Sequence, residues 1–131
     1  GEDFQRRWRD AMQRWEVAAR PLRGMRLVPY HRDLVYLIAW LGMVDVADIE
    51  PKPGIPPSAG YLSELIARIT RDGADAITRS AYTDPKASEW VAQRTGLPLV
   101  ELPYTVGGTP AAGDLFALFD DIIARLAQAR R

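Results

Sequence analysis

Residues 26–42, RLVPYHRDLVYLIAWLG, change character in the middle. RLVPY (26–30) is short, apolar and reads as a strand, with His31 at its C-terminal end. DLVYLIAWL (33–41) is apolar nearly all round, as in a helix packed on both sides. Asp33 is placed to cap that helix, and Gly42 to close it in a left-handed conformation. A strand that passes directly into a helix is the elementary unit of an α/β fold, and the rest of the chain can be read for repetitions of it.

It repeats. MVDVADIE (43–50) fits a second strand, and PKPGIPPSAG (51–60) has four prolines and two glycines in ten residues, a composition that leaves only a rigid loop. Tyr61, Leu62, Leu65, Ile66 and Ile69 form a helical stripe ended by Gly73, and ADAITRSA (74–81) is the third strand. Asp84 before Pro85 starts a helix that runs to about Arg94 and ends at Gly96, since a proline in the first turn gives up only an N–H that has no helical partner. LPLVELP (97–103) is the fourth strand, and Asp114 caps a last helix with the stripe Leu115, Phe116, Leu118, Phe119, Ile122, Ile123 and Leu126.

Ahead of the first strand, Phe4, Trp8, Ala11, Met12, Trp15, Ala18 and Ala19 share one face of a helix over residues 3–20, and the opposite face is rich in arginine. Pro21 and Gly24 stop it. The order is one helix, then strand and helix four times, which predicts a four-stranded, mainly parallel sheet with helices on both faces behind a long N-terminal helix. Ligands of such sheets gather at the C-terminal strand ends, where His31, Ser80, Tyr82 and the YTVGG segment (104–108) fall.

Composition narrows the function. With 131 residues the chain has the size of one domain. Lys plus Arg and Asp plus Glu each number 17, so no net positive field exists to attract nucleic acid or an anionic membrane. The absence of cysteine removes disulfides, thiolate zinc sites and cysteine nucleophiles. GEDFQRRWRD (1–10) lacks the apolar core of a signal peptide, and no run approaches the ~20 apolar residues of a membrane span, so the expectation is a soluble chain whose targeting segment has been removed.

Among candidate residues, His31 is the only histidine. A zinc site of the usual kind takes three or four protein ligands, so His31 is either a structurally satisfied side chain or a ligand whose partners are on another polypeptide segment. The glycines of YTVGG could offer N–H groups to a phosphate, which makes a small flavodoxin-like or Rossmann-like enzyme or nucleotide binder the alternative reading, although no GxGxxG or GxxxxGK[ST] accompanies them. Ser80 and Tyr82 have only His31 as a possible base and no GxSxG elbow. Asp120 and Asp121 are expected on a solvated helix face, and Glu101, interrupting the apolar LVEL, on an edge strand or strand end in contact with solvent.

Four segments, LRGMRLVPYHRDLVYLIAWLG, IEPKPGIPPSAGYLSELI, ITRSAYTDPKASEWVAQRTGLPLVELP and GDLFALFDDIIARL, occur in the order in which similar ones occur in the zinc- and manganese-binding periplasmic substrate-binding proteins of bacterial ABC importers. The chain resembles their C-terminal half. The resemblance implies residues 1–22 as the second part of the helix linking two lobes, with a tryptophan-bearing face able to pack beyond this domain, and residues 23–131 as the C-terminal metal-binding lobe. It implies periplasmic metal capture without catalysis, delivery to an ABC permease, and a metal held between lobes by two ligands from each. The partners of His31 would then be in an N-terminal lobe.

His31 matches the first ligand of the C-terminal lobe. Members with histidine there commonly take zinc and those with glutamate manganese, and imidazole does suit zinc better than a carboxylate does. Asp33 or a backbone carbonyl is expected to orient the ring. Where many members carry an aspartate after the fourth strand, this chain has Tyr104, so the fourth ligand is expected to be water, or less favourably Glu101 or a further group of the other lobe. A half-protein of this kind could also self-associate through exposed faces of its first helix.

Overall fold

The computed structural model describes residues 1–32 and 34–130. Its elements run α1 (Glu2–Ala18), a 3-10 turn (Arg20–Leu22), β1 (Arg26–Pro29), α2 (Val35–Trp40), β2 (Val44–Asp45), α3 (Ala59–Asp72), β3 (Ala76–Arg79), α4 (Pro85–Thr95), β4 (Leu99–Glu101) and α5 (Leu115–Ala129). The four strands form one sheet in the order β2-β1-β3-β4, and every pairing is parallel. Among the described residues no helix is long and apolar enough to cross a membrane.

Strand alternation divides the core in two. Leu27 and Ala76 face a layer built with α1, α2 and α5, while Val28 and Ile77, one residue on, face a layer built with α3 and α4. Helix capping follows the sequence. Ser58 accepts from the Tyr61 N–H, Asp84 from the Lys86 N–H and Asp114 from the Ala117 N–H. Gly96 ends α4 in the left-handed region, at φ 73°.

Three expectations need correction. MVDVADIE does not form a continuous strand. Val44 and Val46 donate to the carbonyls of Met25 and Leu27, two steps matching two, but the next donor to Pro29 is Ile49 rather than residue 48. One extra residue therefore interrupts the ladder as a bulge, after which Glu50 donates to Tyr30. Helix α2 is packed on one side only. Ile38 is buried, whereas Tyr36 is 89% exposed, because this short helix runs along the β2 edge of the domain. The expected cap Asp33 lies outside the described residues.

The aromatic face of α1 packs within the domain. Trp15 is 1% exposed, and its indole N–H donates to Asp120 on α5 at 2.7 Å. Trp8 meets Trp15, Phe116 and Phe119 edge-on. The acids of α5 are consequently not a bare solvated face, which is the third correction. Asp120 holds α1, and Asp121 accepts from Thr109 and Arg125 at 2.6 and 2.9 Å, fastening the loop after β4.

Candidate functional site

Chain direction creates the site. From β1 the chain moves to β2 at one edge, and from β2 it crosses back to β3 on the other side of β1. The connections that follow β1 and β3 depart to opposite faces, which opens a crevice at the C-terminal ends of these strands. His31 is two residues beyond the end of β1 and lines a cleft of about 490 Å³ with Arg32, Asp48, Glu50 and the Pro51–Pro53 turn.

The imidazole is held. Its Nδ1 lies 2.8 Å from Glu50 Oε1, and the Glu50 side chain is only 9% exposed. A carboxylate can only accept, so the proton of this bond is on Nδ1 and the lone pair of the neutral ring is on Nε2. Tyr30 stacks edge-on against the ring at 4.6 Å. Burial, with the charges of Glu50 and Asp84, raises the Tyr30 phenol above its ordinary value, so it remains a neutral wall of the site.

Glu50 is the residue that sequence reasoning missed; Asp33 or a carbonyl was expected in its role. The signal was present, because Glu50 ends the second strand segment just as His31 follows the first, and adjacent parallel strands bring such ends together. The rigid 51–60 loop begins directly behind it. Its Lys52–Ile55 turn is closed by the Ile55 N–H on the Lys52 carbonyl, with Gly54 at φ 78°.

A second acid pair borders the cleft. Asp45 Oδ2 and Asp48 Oδ1 are sealed from solvent and take no ordinary donor. Burial first, and the adjacent Asp45 charge second, push Asp48 up to about 6. Burial also raises Asp45, while a hydrogen bond from Asp48 and the charges of Arg32 and Arg68 oppose the rise. Below about pH 6 the pair therefore keeps a proton, shared through the hydrogen bond between Asp48 and Asp45. Tyr61 donates to the Asp48 carbonyl at 2.6 Å, which ties α3 to the bulge.

The remaining candidates are elsewhere. Glu101, on the far edge strand β4, is half-exposed and paired with Arg79 at 3.3 Å. Tyr104 is partly buried against the α1/α5 layer. Ser80 is buried, and its hydroxyl accepts from the Tyr82 N–H as part of a turn, while the Tyr82 ring is exposed. The two glycines of the YTVGG loop spend their N–H groups internally, Gly107 on Ala112 and Gly108 on Thr105, so these donors do not cradle a phosphate. A Cβ on Gly108 would stand 3.0 Å from the Thr105 carbonyl, a packing reason for glycine there. Among the described residues, no three His, Cys, Asp or Glu side chains converge as a metal site.

The parallel sheet thus presents one imidazole beyond the end of β1, anchored by a buried carboxylate that follows β2. The sequence model of the zinc-uptake complex component A family, ZnuA, described as periplasmic, matches residues 1–129, and the chain belongs to that family. Among curated proteins none matches it by sequence. Its fold is similar to a crystal structure of ZnuA, with TM-score 0.79 and 22% identity over 99% of this chain and 46% of that one. It is also similar to the laminin-binding adhesin Lmb from Streptococcus agalactiae, with TM-score 0.72 and 19% identity over 99% and 49% of the two chains. For the substrate-binding protein FpvC from Pseudomonas aeruginosa in complex with Mn²⁺ the values are 0.69 and 19% over 95% and 49%. The chain spans about half the length of these structures.

Proposed function

We propose that this chain is the C-terminal, His31-bearing lobe of a periplasmic protein that captures Zn²⁺ and hands it to an ABC permease, without catalysing a reaction. The observation that carries the reading is the 2.8 Å contact of His31 Nδ1 with the buried Glu50 carboxylate. Its Nδ1 is engaged by Glu50, which leaves Nε2 as the ring nitrogen available beside the cleft. A carboxylate behind a histidine raises the basicity of the ligating nitrogen and restricts its rotation, the usual support of a zinc-bound imidazole.

One imidazole does not bind zinc tightly alone. On this reading the other ligands come from an N-terminal lobe, residues 1–22 form the end of the connecting helix, and residues 23–131 form the lobe itself. Imidazole favours zinc over manganese as cargo. Water is the best candidate for the fourth position. Glu101 is engaged by Arg79 two strands from β1, and Tyr104 has no carboxylate to offer.

The test is calorimetric titration of zinc into the full-length protein. His31→Ala should weaken binding by at least about tenfold, since lesser losses around metal ligands already cost that much. Unchanged affinity would exclude His31 from the site. Tight stoichiometric binding by residues 1–131 alone would contradict a site shared between lobes.

A further inference from the structure

His31 and Arg32 are consecutive residues of the turn that follows β1, and both face acids of β2 and the segment behind it, His31 by a hydrogen bond and Arg32 by ion pairs. His31 reaches Glu50 at 2.8 Å. Arg32 places its Nε 3.6 Å from Asp48 Oδ2 and 3.9 Å from Asp45 Oδ2. The bulge makes this possible, because the extra residue between Val46 and Ile49 falls where Asp48 joins Asp45. The carboxylates are largely buried, with exposures of 14% and 21%, whereas the guanidinium side chain is 69% exposed.

A single hydrogen bond to Nδ1 leaves a ring free to swing about that bond, and to exchange tautomers whenever the bond breaks. A second attachment one residue away fixes the backbone from which the ring projects. We propose that Arg32 is a positioning residue, held by the Asp45–Asp48 pair so that the turn after β1 keeps the His31 ring on Glu50. The inference rests on the metal-binding reading for its purpose, but its geometry belongs to this chain alone. Exposed ion pairs contribute little to stability, so the contribution of Arg32 should appear in the order of the ring rather than in the stability of the fold.

The only histidine in the chain supplies its own probe. In the ¹⁵N-labelled 131-residue protein at about pH 8, above the ordinary imidazole range, the two ring nitrogens should give well-separated resonances, one protonated and one bare. In Arg32→Ala these should move toward each other as the ring exchanges tautomers, with the urea midpoint nearly unchanged. Arg32→Lys, which keeps the cation, should recover part of the separation. The double variant Asp45→Asn/Asp48→Asn should reproduce the Arg32→Ala shift, and adding Arg32→Ala to it should do nothing further. Resonances that stay at their wild-type positions in Arg32→Ala while Glu50→Gln displaces them would overturn the proposal. Zinc titration of the full-length protein separates the two ideas. If His31→Ala leaves affinity intact the metal reading fails, whereas the ring resonances decide the role of Arg32 in either case.

Discussion

His31 Nδ1 and Glu50 Oε1 stand 2.8 Å apart across the ends of two adjacent parallel strands, and this pair turns an otherwise isolated imidazole into an oriented donor. Both residues lie outside the regularly paired part of the ladder. His31 is beyond the last paired residue of β1, and Glu50 returns to Tyr30 only after the bulge.

If His31 ligates zinc as proposed, the pair makes Glu50 a determinant of affinity without itself being a ligand. Glu50→Gln keeps the size of the side chain but removes the charge that strengthens the imidazole. Titration of the full-length variant should show zinc binding weakened by about tenfold or more. An affinity equal to that of the wild type would mean that the carboxylate does not act through His31.

Asp48 should make stability depend on pH. Its carboxyl, pushed up to about 6, lies above the ordinary aspartate value of about 3.9. Between these values the folded protein holds a proton that the unfolded chain has released. The contribution is fully present below about pH 4 and is lost as pH rises through about 6. Asp48→Asn should therefore be more stable than wild type in urea at about pH 8, with the difference closing toward about pH 4. A constant difference across that range would contradict the proton-sharing pair.

Trp15 joins α1 to the rest of the domain. Truncation to alanine removes a fully buried indole and its bond to Asp120, and should cost about 3–5 kcal/mol by denaturant unfolding, chiefly through lost packing. Trp15→Phe retains much of the packing and should cost less. A loss below about 1 kcal/mol for alanine would show that α1 is only loosely docked.

Two glycines of the loop after β4 should behave differently. Gly108→Ala brings a methyl group against the Thr105 carbonyl that the Gly108 N–H itself binds, and a loss of about 1–3 kcal/mol is expected from the crowding. Gly113→Ala meets open space and should be nearly neutral. Paired thermal melts check the contrast.

The alternation of strands and helices was legible because each element carries a local signal: the stripe of α3 and the caps at Asp84 and Asp114 need no distant residue to be read. His31 was legible as a candidate because a parallel sheet places ligands at strand ends. Glu50 and the Arg32 clasp were not, since both depend on which strand lies beside β1 and on one extra residue in its neighbour's ladder. Of the acids expected on a solvated face of α5, Asp120 is half-exposed but Asp121 is largely buried, and the partners they take from α1 and from the loop after β4 were illegible for a related reason.

By itself the sequence determined the α/β class, the order of helices and strands and the position of the one imidazole, because periodicity, capping and strand-end placement are properties of short segments. Tertiary structure alone decided that this imidazole is oriented. The order β2-β1-β3-β4 and the bulge at Ala47–Asp48 bring residue 50 to residue 31, and hydrogen bonding over 2.8 Å exists only after that approach.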